Sequence, residues 1–177
     1  MSQEFYKIRR LPPYMFEQVN KLKAQLRAEG TDIIDLGMGN PDLPPPEHVI
    51  EKLIETARRP DVHGYSSSRG IPGLRRAFAN YYDRRFNVKL DPDTQVISTL
   101  GSKEGFANLA QAISAPGDVI LAPNPSYPLH SFGFMIAGAS IRNVEAQTPE
   151  QYLSGLGRAV RHSVPAPIAM VLSYPGN

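Results

Sequence analysis

The stretch TLGSKEGFANLA, residues 99–110, sets a Gly-Ser-Lys turn between the apolar pair Val96-Ile97 and a helical spacing of Phe106, Leu109, Ala110 and Ile113. A strand that enters a helix through Gly101 and Ser102 leaves the first N–H groups of that helix without intrahelical acceptors, with the positive end of the helix dipole behind them. An anion satisfies both. The same residues also suit an ordinary helix start, with Ser102 as N-cap and Glu104 as first-turn acid. On the local pattern alone the cap is the favoured reading. Two nucleotide-binding patterns fail outright. No stretch has the Walker spacing G-x-x-x-x-G-K-[ST], and GMGNPD (37–42) carries Asp42 where a dinucleotide fingerprint needs its third glycine, after a Pro41 that interrupts the helix opening.

The elements that must position such a turn follow from the apolar spacing. Tyr14, Phe16, Val19, Leu22 and Leu26 predict a helix over 14–28 that Gly30 ends; Val49, Ile50, Leu53, Ile54 and Ala57 predict one over 47–59; Leu74, Phe78, Tyr81 and Tyr82 predict one over 71–86 with Pro72 near its start. IIDLGM (33–38) reads as a short strand, and NPDLPPP (40–46) as an extended loop, since proline removes donors and restricts its predecessor. From residue 95 apolar runs alternate with helical patterns: strand 95–99, helix 102–115, strand 118–122, helix 127–137, strand 139–144, helix 149–162, strand 167–173. This is α/β organisation with a mainly parallel sheet. Ligands of open α/β sheets gather beyond the carboxyl ends of the strands, here GSK (101–103), NPSY (124–127) and PGN (175–177). These three turns are expected to converge.

Composition excludes several other chemistries. With 177 residues, 41% hydrophobic, the chain suits one good core. Nineteen basic and seventeen acidic side chains give a formal charge of +2, and the arginine pairs are dispersed among acids and apolar residues, which fits solvated helix faces and not a nucleic-acid stripe. Without cysteine there is no disulfide or thiolate metal site, and His48, His63, His130 and His162 are too scattered to suggest a ligand pair, so no metal is expected. No run approaches the roughly eighteen apolar residues of a membrane span, and the first sixteen residues lack an apolar leader core, so a cytoplasmic protein is expected.

Six segments, in order, resemble the class I aminotransferases of fold type I, which use pyridoxal 5′-phosphate: RRLPPYMF (9–16), IIDLGMGNPD (33–42), HGYSSSRGIPGLRRA (63–77), GSKEG (101–105), PNPSYPLH (123–130) and YPGN (174–177). The third and fifth look most like the bacterial alanine-forming, glutamate–pyruvate branch, whose neighbours act on aspartate or LL-diaminopimelate. The resemblance implies an arm and part of a small domain in 1–46, and an incomplete large cofactor-binding domain in 47–177. It also implies amino-acid and 2-oxo-acid substrates and a homodimer.

By the same resemblance, Ser102 and the N–H groups of Ser102 and Lys103 hold the cofactor phosphate, with Lys103 adding charge. Tyr127 covers the pyridine ring, Asn177 donates to the cofactor's 3′ oxygen, and Tyr65 reaches the phosphate of the neighbouring subunit. Gly39 lies against the substrate carboxylate, and Tyr14 stands where some relatives touch substrate, although it is as well placed for core packing. The family's Schiff-base lysine, pyridine-pairing acid and carboxylate-binding arginine follow a P-x-N-P-T turn, and none of the six lysines here sits in the Schiff-base context. The chain therefore looks like the amino-terminal portion of an enzyme, inactive by itself. A non-catalytic phosphate-binding or subunit-interaction module is the alternative, whereas a hydrolase is set aside because GYSSS lacks the second glycine of a nucleophile elbow.

Overall fold

The computed structural model describes residues 5, 9, 11–37, 39 and 41–173. The chain divides into two compact units, one of residues 12–66 and one of 1–11 with 67–177.

In the first unit, α1 (Met15–Ala28) ends where Gly30 takes a positive φ of 83° and donates to the Arg27 carbonyl, while Thr31 donates to that of Leu26. Glycine pays no Cβ penalty in that left-handed turn. The predicted strand at 33–38 is not formed at 33–37. Ile34 and Leu36 are 82% and 92% exposed, and no ladder partner lies among the described residues. α2 (Glu47–Ala57) starts directly after the extended Pro46.

In the second unit, α3 (Pro72–Phe86) carries proline at its first position and ends at Asn87 in the left-handed conformation, whose N–H reaches the Asp83 carbonyl. The strand predicted over 95–99 is also absent. Ser98 N–H bonds to the Arg69 carbonyl, but that isolated bond is not a ladder, and Ile97 and Leu100 face outward. Beyond it the alternation holds: α4 (Ser102–Ile113), β1 (Val119–Asn124), α5 (Leu129–Ala137), β2 (Ser140–Glu145), α6 (Pro149–His162) and β3 (Pro167–Met170). β1 lies between β2 and β3, parallel to both, so the expected α/β sheet is present. The helix predicted from 127 begins at 129, after Pro128 at its N-cap.

Successive strand residues face opposite sides, and β1 uses both. Ile120 joins Ala110, Phe134, Ala139 and Val171 on the face covered by α4 and α5, whereas Leu121 joins Val144 and Tyr152 of α6 on the other. The buried Tyr152 hydroxyl donates to the Val171 carbonyl at 3.1 Å, so its polar atom is satisfied. Phe134 is the largest side chain of the first cluster, and Phe134→Ala is expected to lower the stability of the whole protein by about 3–5 kcal/mol, read as a lower urea midpoint at unchanged slope.

Candidate cofactor-binding site

Gly101, not Ser102, is the N-cap of α4. It has φ 87°, a conformation that glycine adopts without strain, and Ser102 is the first helical residue, with no side-chain capping bond at this end. Thr99 closes the turn by donating from Oγ1 to the Gly101 carbonyl at 3.0 Å, and the Glu104 carboxylate reaches back to accept the Leu100 N–H. The serine hydroxyl is thus not committed to capping its own helix. The Gly101 N–H donates to the Thr99 carbonyl at 2.9 Å, and the N–H groups that follow it stand at the positive end of the helix dipole, where an anion is favoured.

Tyr127 follows β1 and is half-buried beside this turn. Lys103 Nζ lies 5.7 Å from the centre of its ring, within cation–π range. His130, at the start of α5, meets the Tyr127 ring at 5.9 Å and 74° and the Phe106 ring at 5.5 Å; Phe106 in turn meets the core Phe134 edge-on at 5.7 Å. Two of the three expected turns, GSK and NPSY, therefore come together. The third, PGN, with Asn177, lies outside the described residues.

His130 is a member of this cluster that the scatter of the four histidines conceals; its signal in the sequence is its place three residues after Tyr127 in NPSYPLH. Its Nδ1 is buried and has no partner among the described residues. Buried polar atoms are normally paired, so this one marks where a further group belongs.

The remaining candidates belong to the 12–66 unit. Tyr14 is the N-terminal flanking residue of α1, exposed by nearly half, and its ring packs on Phe16 at 5.6 Å. Gly39 has no described atom within 4 Å of the position its Cβ would take. Tyr65 is fully exposed. Near Gly39, Asp35 accepts the Gly37 N–H at 3.0 Å and the Lys23 ammonium at 2.7 Å.

An amide-rich helix start beside an aromatic face with a lysine over it suits a phosphorylated planar ring. A family model for aminotransferase class I and II matches residues 31–177. The chain belongs to the class I and II aminotransferases. It is 64% identical over 175 residues to the putative aminotransferase AatC of Rhizobium meliloti, covering 99% of this chain and 43% of that protein. It is 49% identical over 176 residues to the glutamate–pyruvate aminotransferase AlaC of Escherichia coli, again with 99% and 43% covered. The solved structure of substrate-bound BacF from Bacillus subtilis superposes on all of this chain and 45% of that one, with a TM-score of 0.89 at 34% identity. The aminotransferase chain thus has the fold type I architecture, and it spans less than half the length of these relatives.

The Lys23 ammonium, and after it the Gly37 amide, hold the Asp35 carboxyl below the usual aspartate range. Its contribution to stability is therefore in force above the ordinary aspartate value and is lost as pH falls through the lower folded value. Carboxyl-resolved NMR titration is expected to give Asp35 a depressed midpoint that moves back up in Lys23→Met; identical midpoints would remove the pairing.

Proposed function

We propose that the whole protein is a pyridoxal 5′-phosphate-dependent aminotransferase that moves an amino group from an L-amino acid to a 2-oxo acid, with alanine and 2-oxoglutarate as the favoured pair. The observation that carries this is the pairing of the α4 start with Tyr127 across the Lys103 contact. When bound, the cofactor supplies the electron sink for exchange of the amine. The chain's own residues bind and orient. Ser102, with the Ser102 and Lys103 amides, holds the phosphate by dipoles that are fixed before it arrives. Tyr127 limits the pyridine to one plane, and its own ring is braced by His130. Asn177 donates to the 3′ oxygen, Gly39 lets the backbone approach the substrate carboxylate, and Tyr14 borders the substrate.

The preference for alanine is supported by the 49% identity to a glutamate–pyruvate enzyme. The second reading, LL-diaminopimelate as donor, draws support from relatives of that name, such as one from Desulforudis audaxviator at 41% identity; aspartate is a third donor to test. Within the whole protein, 1–46 forms the arm and part of the small domain and 47–177 the first part of the large domain. The cytoplasm is the proposed compartment; separately, no helix among the described residues is long and apolar enough to cross a membrane.

A panel of amino donors with 2-oxoglutarate tests the substrate. Alanine is expected to be the fastest; rapid turnover of aspartate or LL-diaminopimelate with none of alanine would overturn the branch and leave the family intact.

Tyr65 acts across a homodimer in this reading. Mixing Tyr65→Phe subunits with subunits lacking the Schiff-base lysine is expected to restore activity, since each mixed pair contains one intact composite site. No recovery after subunit exchange would contradict it.

A further inference from the structure

Arg75 is the one buried charged side chain among the described residues, at 8% exposure. A charge taken out of water is costly unless well paired, yet its carboxylate partner, Asp93 at 3.0 Å, is 76% exposed. The guanidinium also donates to two main-chain carbonyls, from Nε to Gly70 at 3.2 Å and from Nη1 to Pro92 at 2.6 Å. It therefore ties the approach to α3 to the turn at 91–95. Arg69 makes the same connection from the other side by donating to the Asp93 carbonyl.

What this tie holds in place is the strand-like run leading to α4. Gly70 has φ 86°, and a Cβ there would stand 2.4 Å from the Ser98 Cβ, so glycine is required both by conformation and by space. Ser98 N–H bonds to the Arg69 carbonyl at 3.1 Å. From Ser98 the chain reaches Gly101 in three residues, and Thr99 is pressed against Gly105, whose Cβ would lie 2.9 Å from Thr99 Oγ1. Ile97 and Leu100 are exposed and only Val96 of the apolar residues here is half-buried, so apolar burial holds this run weakly. Its place is set by the Gly70–Ser98 contact at one end and the helix start at the other.

We infer that Arg75 and Gly70 are positioning residues for the anion-binding turn: through Ser98 they set where the Ser102 and Lys103 amides point. This rests on the reading of that turn as the phosphate site. They act on the turn that holds the phosphate and not on Tyr127, so their effect falls on the phosphate and not on the ring of the cofactor.

The test compares the affinities of the whole apoprotein for pyridoxal 5′-phosphate and for pyridoxal, which lacks the phosphate, by fluorescence titration with melting temperature measured alongside. In the wild type the phosphate is expected to confer a large preference. Arg75→Lys keeps the charge but loses the planar fork, and both it and Gly70→Ala are expected to reduce that preference by about tenfold, the scale of removing a supporting partner around a bound group. Gly70→Ala/Ser98→Gly, which removes the opposing Cβ, is expected to recover part of it. Should Gly70→Ala fail to fold, Arg75→Lys decides. An unchanged preference in Arg75→Lys, whatever its melting temperature, would make these residues ordinary contributors to stability and overturn the inference. A wild type with no preference for the phosphorylated form would overturn the phosphate reading itself.

Discussion

Strand β1 is buried from Val119 to Pro123, and a backbone can be dry over that length only if each of its polar groups is paired. A parallel ladder to β2 along the whole strand and one to β3 over Val119–Leu121 meet most of that demand, while α4 and α5 cover one face and α6 lies over the other. The site follows from this constraint. Because β1 must stay between its neighbours until Asn124, the chain leaves the sheet at a determined point, and Tyr127 is set down three residues later. Because α4 must cover Ile120, its amino terminus comes to the same end of the sheet.

Close approach of α4 and α5 brings the two halves of the site into register. Gly133 is buried where an added Cβ would meet the Phe106 ring at 3.4 Å and the Ala110 Cβ at 3.5 Å. Phe106 lies between Phe134 in the core and His130 at the site, so the ring sequence Phe134, Phe106, His130, Tyr127 runs from packed interior to the turn. Rings in edge-on or tilted contact restrict one another's planes. Tyr127 is thereby oriented by the same side chains that stabilise the sheet, which prepares its face before a ligand arrives.

The helices after residue 101 are legible because each buries one face against the sheet or its neighbouring helix and so carries a period of apolar residues; the spacing predicts α6 at its observed bounds, 149–162. The failures have a common cause. IIDLGM and 95–99 have the composition of strands, but strand structure depends on a partner that local sequence does not specify. Ser102 looked like a cap because serine favours that position, whereas Gly101 supplied the backbone conformation that the turn needed. The arginine pairs have the pattern of solvated helix faces, and nothing in the neighbours of Arg75 signals that its guanidinium turns inward to the carbonyls of Gly70 and of Pro92, the latter 17 residues away in sequence. The grouping of Tyr127 with the Gly-Ser-Lys turn was legible from topology alone, since both follow the carboxyl ends of apolar runs. The ring brace by His130 required the packing of α4 on α5.

The most direct test of the account is whether the first amides of α4 hold the cofactor phosphate. Amide nitrogen and proton shifts of Ser102 and Lys103 can be followed in selectively labelled whole protein as pyridoxal 5′-phosphate, pyridoxal or inorganic phosphate is added. Large shifts of these two amides with both phosphate-bearing compounds, and small ones with pyridoxal, are the predicted result. Cofactor binding that perturbs Tyr127 but leaves the Ser102 and Lys103 amides unmoved would contradict it.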